Sequence, residues 1–149
     1  MFHKLLVVGA GTVALTAAAF AQVSEYGTAD EARALLERAV AAVKADKAKA
    51  LETFNREDGG FRDRDLYVFC VHATDGVETA HPTHRGEKIG DLKDANGFAF
   101  GQEILKKASA GTISEVVYLW PRPGSDTPSE KVTYVTKIDD QICGVGYYK

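Results

Sequence analysis

The sequence of 149 residues lacks the motifs by which most enzymes and metal proteins are recognised. It contains no Cys-x-x-Cys pair, and its histidines and acids do not recur at the spacing of a zinc site or an EF-hand calcium loop. It also contains neither a Gly-x-Ser-x-Gly elbow nor a Ser-x-x-Lys motif, which carry the nucleophile in common serine enzymes. We therefore expect a protein that is not an enzyme and that holds no metal or cofactor.

An excess of positive charge is missing as well. Lysine and arginine total 18 against 21 aspartate and glutamate residues, which gives a formal net charge of -3. Proteins that bind nucleic acid usually show a basic face, so this balance gives no indication of a nucleic-acid partner. The length and the ordinary share of hydrophobic residues, 45%, predict one globular domain with a core of its own.

Long apolar runs are confined to the N-terminus. Lys4 precedes an apolar and small-residue stretch over residues 5–18, and residues 19–21 read Ala-Phe-Ala, the small-x-small pattern of a signal-peptidase site. We expect residues 1–21 to be a signal peptide that is cleaved before Gln22, and an uncleaved anchor is the alternative. Cleavage would leave residues 22–149 as a single periplasmic or secreted domain without stable membrane insertion.

The first part of this domain has the pattern of an amphipathic helix. Thr28 and Glu31 have the spacing of a capping box, which predicts that a helix begins after Thr28. Apolar residues then recur at helical spacing, at Ala32, Leu35, Leu36, Ala39, Val40 and Val43. We expect one long helix that ends near Phe54 and packs this apolar stripe against a sheet.

Five strands are predicted after the helix. Residues 66–73, the first strand, are apolar at both alternating sets of positions, which is typical of a central strand covered on both faces. The dipeptide Asp75-Gly76 indicates a hairpin turn into a second strand over residues 77–80. A shorter helix is predicted over residues 98–110, followed by the third, fourth and fifth strands over residues 112–120, 131–138 and 141–148. These elements fit an α+β fold, but the residues alone do not determine the order of the strands.

A series of short motifs resembles a known family in its order and in its gaps. The motifs are Phe54-Asn55, Gly59-Gly60-Phe61, Asp65-Leu66-Tyr67-Val68-Phe69, Asp75-Gly76, Ala80-His81-Pro82, Asp91-Leu92-Lys93-Asp94, Tyr118 with Trp120-Pro121, Lys131, Tyr134 and Gly144-Val145-Gly146-Tyr147-Tyr148. Together they resemble the single Cache domain of type 2, an extracytoplasmic sensor module of bacteria. The resemblance implies a profilin-like or PAS-like five-stranded antiparallel sheet in the order 2-1-5-4-3. It places the long N-terminal helix on one face, and the short helix and loops on the other.

The resemblance also implies a function. Members of this family usually bind short organic acids in a pocket on the sheet face opposite the long helix. We therefore expect a stand-alone periplasmic binding or sensory module. Because no membrane span or signalling domain follows Lys149, we expect the module to relay its signal to a separate membrane receptor or kinase. The alternative is a structural or interaction protein of the cell envelope that has no small ligand.

Candidate ligand-binding residues follow from the expected pocket. They are Lys131, His81, Tyr118, Tyr134, Trp120 and Tyr67. A desolvated carboxylate needs a cation or several N–H donors, so Lys131 is the first candidate for the cation and His81 the second. The hydroxyls of Tyr118 and Tyr134 would orient the acid, and the two other aromatic rings would form the wall. The structural alternatives are a solvated lysine, a histidine at a strand end, and aromatic packing in the core.

The two cysteines belong to the first and the fifth predicted strand. The strand order implied by the resemblance makes these strands neighbours, so Cys70 and Cys143 can meet and form a disulfide. An exported protein folds in an oxidising compartment, where such a bond persists. The alternative is a pair of buried thiols that act as small hydrophobic side chains.

Overall fold

The structure is a computed structural model that describes residues 23–149, so the predicted signal peptide and its cleavage site lie outside the described residues. The helices are α1 (Ala29–Ala45), α2 (Lys47–Asn55) and α3 (Phe100–Lys107), with a short 3₁₀ helix at Ile89–Asp91. The strands are β1 (Arg62–Asp63), β2 (Leu66–His72), β3 (Glu78–Ala80), β4 (Ser114–Pro121), β5 (Pro128–Ile138) and β6 (Gln141–Tyr148). Within residues 23–149, every helix is too short or too polar to cross a membrane.

The predicted long helix is in fact two helices. The capping box at its start is confirmed, because the Thr28 hydroxyl accepts a hydrogen bond from the Glu31 N–H and the Glu31 carboxylate accepts one from the Thr28 N–H. Asp46 then adopts an extended backbone and ends α1. Its carboxylate accepts a hydrogen bond of 3.1 Å from the Lys49 N–H, which caps the start of α2. A single helix reaching Phe54 was therefore a wrong prediction, since the Asp46 side chain stabilises a break.

The sheet is antiparallel throughout. Its strands pair in the order β1-β2-β6-β5-β4, and β3 pairs with β2 as well. The predicted order 2-1-5-4-3 corresponds to β3-β2-β6-β5-β4 and is confirmed. The two-residue strand β1 was not predicted. It precedes β2 in the sequence and pairs with the first two residues of β2, Leu66 and Tyr67.

The two faces of the sheet bury different sets of side chains, and we call them the helix face and the cavity face. The helix face packs against the predicted apolar stripe of α1 and against Phe54 of α2. The cavity face packs against α3 and the 3₁₀ helix. Because side chains alternate along a strand, β2 contributes to both faces, which confirms its prediction as a central strand.

Cys70 on β2 lies directly opposite Cys143 on β6, and the two form a disulfide. Both residues are fully buried on the helix face. The bond therefore ties the two central strands together beneath α1.

Removal of this disulfide should destabilise the domain strongly. The bond joins residues separated by 73 positions, and its loss in a Cys70→Ala/Cys143→Ala variant should lower the free energy of unfolding by about 4 kcal/mol in the chain-entropy description. Urea denaturation of the variant and of the unreduced wild type measures the difference. Wild-type protein denatured in the presence of reductant is the control, and it should approach the variant. A difference below about 1 kcal/mol would contradict this role of the bond.

Candidate ligand-binding site

A small cavity lies between the cavity face of the sheet and the segment that connects β3 to β4. Its free volume is about 20 Å³, room for about one water molecule. The polar side chains that line it are Lys131, Tyr67, Glu78, His81, His84 and Tyr118. The rest of the wall is apolar or aromatic, from Phe69, Ile89, Leu92, Phe100 and Trp120. The cavity thus brings together five of the six predicted site residues.

Lys131 reaches the cavity by crossing the neighbouring strand over Gly146. It lies three residues inside β5 and is only 1% exposed, so the prediction that it opens a strand was wrong. Its ammonium group donates a hydrogen bond of 2.9 Å to the hydroxyl of Tyr67 on β2. Between β5 and β2 runs β6, where a Cβ atom at Gly146 would collide with the Lys131 side chain and with Oγ1 of Thr133. Because glycine has no side chain, this position leaves a channel above β6 that the Lys131 side chain occupies.

The groups closest to the Lys131 ammonium group are aromatic rings. The centroids of the Tyr67 and Tyr148 rings lie 4.5 and 5.2 Å from Nζ, and no carboxylate within residues 23–149 forms an ion pair with it. Burial lowers the pKa of Lys131, while the interactions with Tyr118, Asp65 and Glu78 act in the opposite direction. A buried cation without an anionic partner is a position where a bound anion gains most.

His81 follows β3 and contributes a neutral imidazole to the wall. Its Nδ1 atom accepts hydrogen bonds from the N–H groups of Thr83 and His84, at 3.0 and 3.1 Å. The ring proton is therefore assigned to Nε2. Burial, followed by the interactions with His84 and Lys131, lowers the pKa of His81 to about 3. The expectation of His81 as a second cation is corrected accordingly, since the ring is neutral at physiological pH.

Tyr118 and Trp120 alternate on β4 and both face the cavity. The ring of Tyr118 stacks on Phe100 of α3 with 4.0 Å between the centroids. Its hydroxyl forms a hydrogen bond of 3.0 Å with Oγ1 of Thr133. The ring of Trp120 lies 6.0 Å from that of His84, which closes the wall on the side of the connecting segment.

Tyr134 lies on the opposite face of the sheet from Lys131. The two residues are three positions apart on β5, and side chains at odd separations point to opposite faces of a strand. Tyr134 packs in the core beneath α1, where Cζ of Arg33 lies 6.0 Å from its ring centroid. The prediction that its hydroxyl orients a ligand in the cavity is therefore corrected.

Glu78 is a cavity residue that the sequence analysis missed. Ala80 pairs with Cys70 and Glu78 pairs with Val71, so two steps along β3 oppose one step along β2. This β-bulge turns Glu78 to the cavity face while Ala80 faces the helices. Plain alternation would put both residues on one face, and the sequence gives no signal for the bulge. Phe69, by contrast, was predictable as a cavity residue, because it alternates with Tyr67.

The carboxyl group of Glu78 is held mostly in its neutral form. Its side chain is 3% exposed, and its Oε2 atom has no hydrogen-bond partner within residues 23–149. Burial, and then the charge of Glu87, raise the pKa of Glu78 to about 8, while Lys131 acts in the opposite direction. At neutral pH the carboxyl group of Glu78 is therefore mostly uncharged, and burial disfavours the charged form of Lys131 in the same cavity.

An outer groove of about 520 Å³ adjoins the cavity. The two spaces share four lining residues, Tyr67, His81, His84 and Trp120. Arg62 and Arg122 line the groove beyond this partition, where Arg62 pairs with Glu57 and Arg122 with Asp65. A molecule larger than about one water has to displace part of the partition to enter the cavity.

Comparison with known proteins relates this chain to sensory domains. A family model described as Single Cache domain 2 matches residues 11–148. The methyl-accepting chemotaxis protein McpP of Pseudomonas putida is 30% identical over 74 residues, which are 48% of this chain and 14% of McpP. The match thus spans only a small part of McpP, so the activity of the whole McpP protein is not assigned to this chain.

Solved structures show the same fold. A methyl-accepting chemotaxis protein from Vibrio parahaemolyticus has a TM-score of 0.65 at 24% identity, with 80% of this chain and 86% of that chain covered. A periplasmic sensor domain of a chemotaxis protein has a TM-score of 0.61 at 26% identity, covering 80% and 88%. A Cache chemosensory domain described as recognising carboxylic acids has a TM-score of 0.57 at 25% identity, covering 77% and 84%. These similar proteins are sensory domains, not enzymes.

Gly146→Ala should destabilise the domain chiefly because it displaces Lys131. We expect a loss of about 1–3 kcal/mol in the free energy of unfolding, the usual range for an overpacked interior. In a Lys131→Ala background the same change should cost at least about 1 kcal/mol less, since the colliding side chain is absent. Gly144→Ala is the matched control, because its Cβ would meet Phe69 instead. Equal costs of Gly146→Ala in both backgrounds, measured by urea denaturation, would show that Gly146 has no such role.

Glu78→Gln should stabilise the unliganded domain increasingly as pH rises. The pKa of Glu78 is raised from 4.5 to about 8, so the stability that its protonated form contributes is complete below about pH 4.5 and is lost as pH rises through 8. Glutamine does not ionise. The difference in unfolding free energy between variant and wild type should therefore grow by about 2–4 kcal/mol between pH 4.5 and 8.5. Denaturant titrations at several pH values measure it, and a constant difference would mean that Glu78 ionises normally.

Proposed function

Because the chain belongs to the single Cache domain 2 family, we propose that it is a sensory domain that binds a short organic acid beside Lys131. The observation that carries this proposal is the buried Lys131 side chain, which lines a cavity, donates a hydrogen bond to Tyr67 and forms no ion pair with a carboxylate of residues 23–149. A carboxylate placed there would compensate the desolvation of the cation, and the cation would compensate that of the carboxylate. The solved Cache domain described as recognising carboxylic acids supports the same class of ligand.

The neighbouring side chains fit this mode of binding. The Tyr67 hydroxyl lies next to the ammonium group, and the Nε2–H of His81 is a second neutral donor in the wall. The rings of Tyr118 and Trp120 offer apolar contact for the short carbon chain. The small free volume favours acids of few carbon atoms, which need the least displacement of the partition between cavity and groove.

We further propose that residues 1–21 direct export, that cleavage occurs before Gln22, and that the domain acts in the periplasm. The positive Lys4, the apolar run and the Ala-Phe-Ala pattern support export, as does the similarity to a periplasmic sensor domain. A separate membrane receptor or kinase is the proposed partner. Support for a signalling partner comes from the similar proteins, which belong to chemotaxis systems.

A second candidate function is that of an envelope interaction protein without a small ligand. It is favoured by the free volume of about 20 Å³, which is less than an acid occupies. A thermal-shift screen against C2 to C4 acids separates the two functions. An acid present at about 100 times its Kd should add about 2.7 kcal/mol to the stability of the folded state. Unchanged melting with every acid in the screen would favour the interaction protein.

Lys131→Ala should weaken the binding of an acid found in this screen by about 1.5–3 kcal/mol, the range for a hydrogen bond to a charged group. Lys131→Met, which keeps most of the volume but removes the charge, should give the same loss. Calorimetric titration measures both. Tyr134→Phe is the control, because Tyr134 lies on the helix face and its hydroxyl cannot reach the cavity. Wild-type affinity in both Lys131 variants would exclude Lys131 from the site.

A further inference from the structure

Glu78 brings a carboxyl group into the same cavity as Lys131, but no ion pair joins the two side chains. The Glu78 side chain is almost completely buried, and its Oε2 atom has no hydrogen-bond partner within residues 23–149. Buried polar atoms in native proteins are nearly always paired. The bulge in β3 nevertheless turns this carboxyl group into the cavity, where a leucine of similar size would leave no polar atom unpaired.

The cavity therefore has two polar ends that each lack a suitable partner. Lys131 offers a cation without an anion, and Glu78 offers an oxygen without a donor. Lys131 and Glu78 both line a cavity whose free volume is about 20 Å³, so a ligand that contacts both groups has to be short. A ligand that satisfies both must carry its carboxylate close to a second hydrogen-bonding group. A 2-hydroxy acid has this arrangement, because its hydroxyl is on the carbon next to the carboxylate.

The charges around Glu78 decide which second group fits. Those facing it from the sheet and the connecting segment are Lys131, Tyr67, Tyr118, His81, His84 and Glu87. The charged residues of the groove on its other side are Glu52, Arg56 and Arg85. Burial and the charge of Glu87 raise the pKa of Glu78 to about 8 against the effect of Lys131. At neutral pH its carboxyl group is thus an uncharged donor and acceptor.

We propose that Glu78 determines the specificity of the site, by forming a hydrogen bond with the hydroxyl of a 2-hydroxy monocarboxylic acid whose carboxylate pairs with Lys131. The inference rests on the proposed function, because it requires that an acid enters the cavity. A dicarboxylic acid fits poorly, since its second carboxylate would lie next to the Glu78 carboxyl group and would have no cation to pair with. An α-amino acid requires the opposite state of Glu78, because its ammonium group would pair with an ionised carboxylate.

Ionisation of Glu78 should expel such a ligand. Two negative charges would then share the cavity with one cation, so binding weakens as pH rises through about 8. From the protonated fraction of Glu78, the affinity at pH 9 should be about tenfold lower than at pH 7. Loss of charge on Lys131 would act in the same direction. Glu78→Gln separates the two causes, because glutamine keeps a donor and an acceptor but does not ionise.

Calorimetric titration of the protein with lactate and propionate, at pH 7 and pH 9, tests the proposal. Wild-type protein should bind lactate at least about tenfold more tightly than propionate at pH 7, since only lactate carries the hydroxyl. The tenfold loss of lactate affinity at pH 9 should shrink below about threefold in Glu78→Gln. Glu78→Leu should remove the preference for lactate, because leucine offers neither donor nor acceptor.

Three results would overturn the role of Glu78 while leaving acid binding intact. They are equal wild-type affinity for lactate and propionate, an undiminished pH dependence in Glu78→Gln, and binding of alanine that strengthens with pH. If the wild type binds neither acid at either pH and melts unchanged with every acid of the screen, the proposed function fails, and the inference fails with it. Thermal unfolding shows whether Glu78→Leu is folded, and if it is not, the comparison with Glu78→Gln decides alone.

Discussion

The antiparallel pairing of β2 with β6 is the constraint on which both faces of this domain depend. On the helix face it sets Cys70 opposite Cys143, where the disulfide fixes the pair. On the cavity face the same register places Gly144 and Gly146, which leave the middle of β6 without side chains. An aromatic ring from β2 and the Lys131 side chain from β5 occupy the space above them. A shift of this register by one residue would exchange the two faces and remove both the disulfide and the channel.

Much of the fold was predictable, but from two different sources. Periodicity and capping gave the start and the buried stripe of α1, and apolar residues at both alternating sets of β2 predicted its central place. The strand order came from the family resemblance, because the residues alone left several orders possible. The break at Asp46 was not predicted. A single aspartate inside a helical pattern is usually tolerated, and only its hydrogen bond to the Lys49 N–H shows that it caps a new helix.

The candidate site was predictable to the extent that alternation along a strand holds. Lys131, Tyr67 and two aromatic residues of β4 line one cavity, and their role in binding stays a prediction. Tyr134 was assigned to it wrongly, although its odd separation from Lys131 already excluded a shared face. Glu78 was missed because the bulge in β3 reverses alternation there, and such a bulge depends on pairing with β2 rather than on local sequence. The neutral state of His81 likewise depends on its neighbours in three dimensions.

The cavity departs from the rules that stabilise a core. An apolar lining would be more stable than a buried lysine beside a buried carboxylic acid, and each of these groups lacks the partner that burial normally requires. Under the proposed function this lost stability has a consequence, because a ligand that supplies both partners would restore it on binding. The groups that select the ligand would then also be the groups through which the ligand stabilises the folded state. Affinity, selectivity and the change in stability on binding would therefore share one physical origin, the unmatched pair of Lys131 and Glu78.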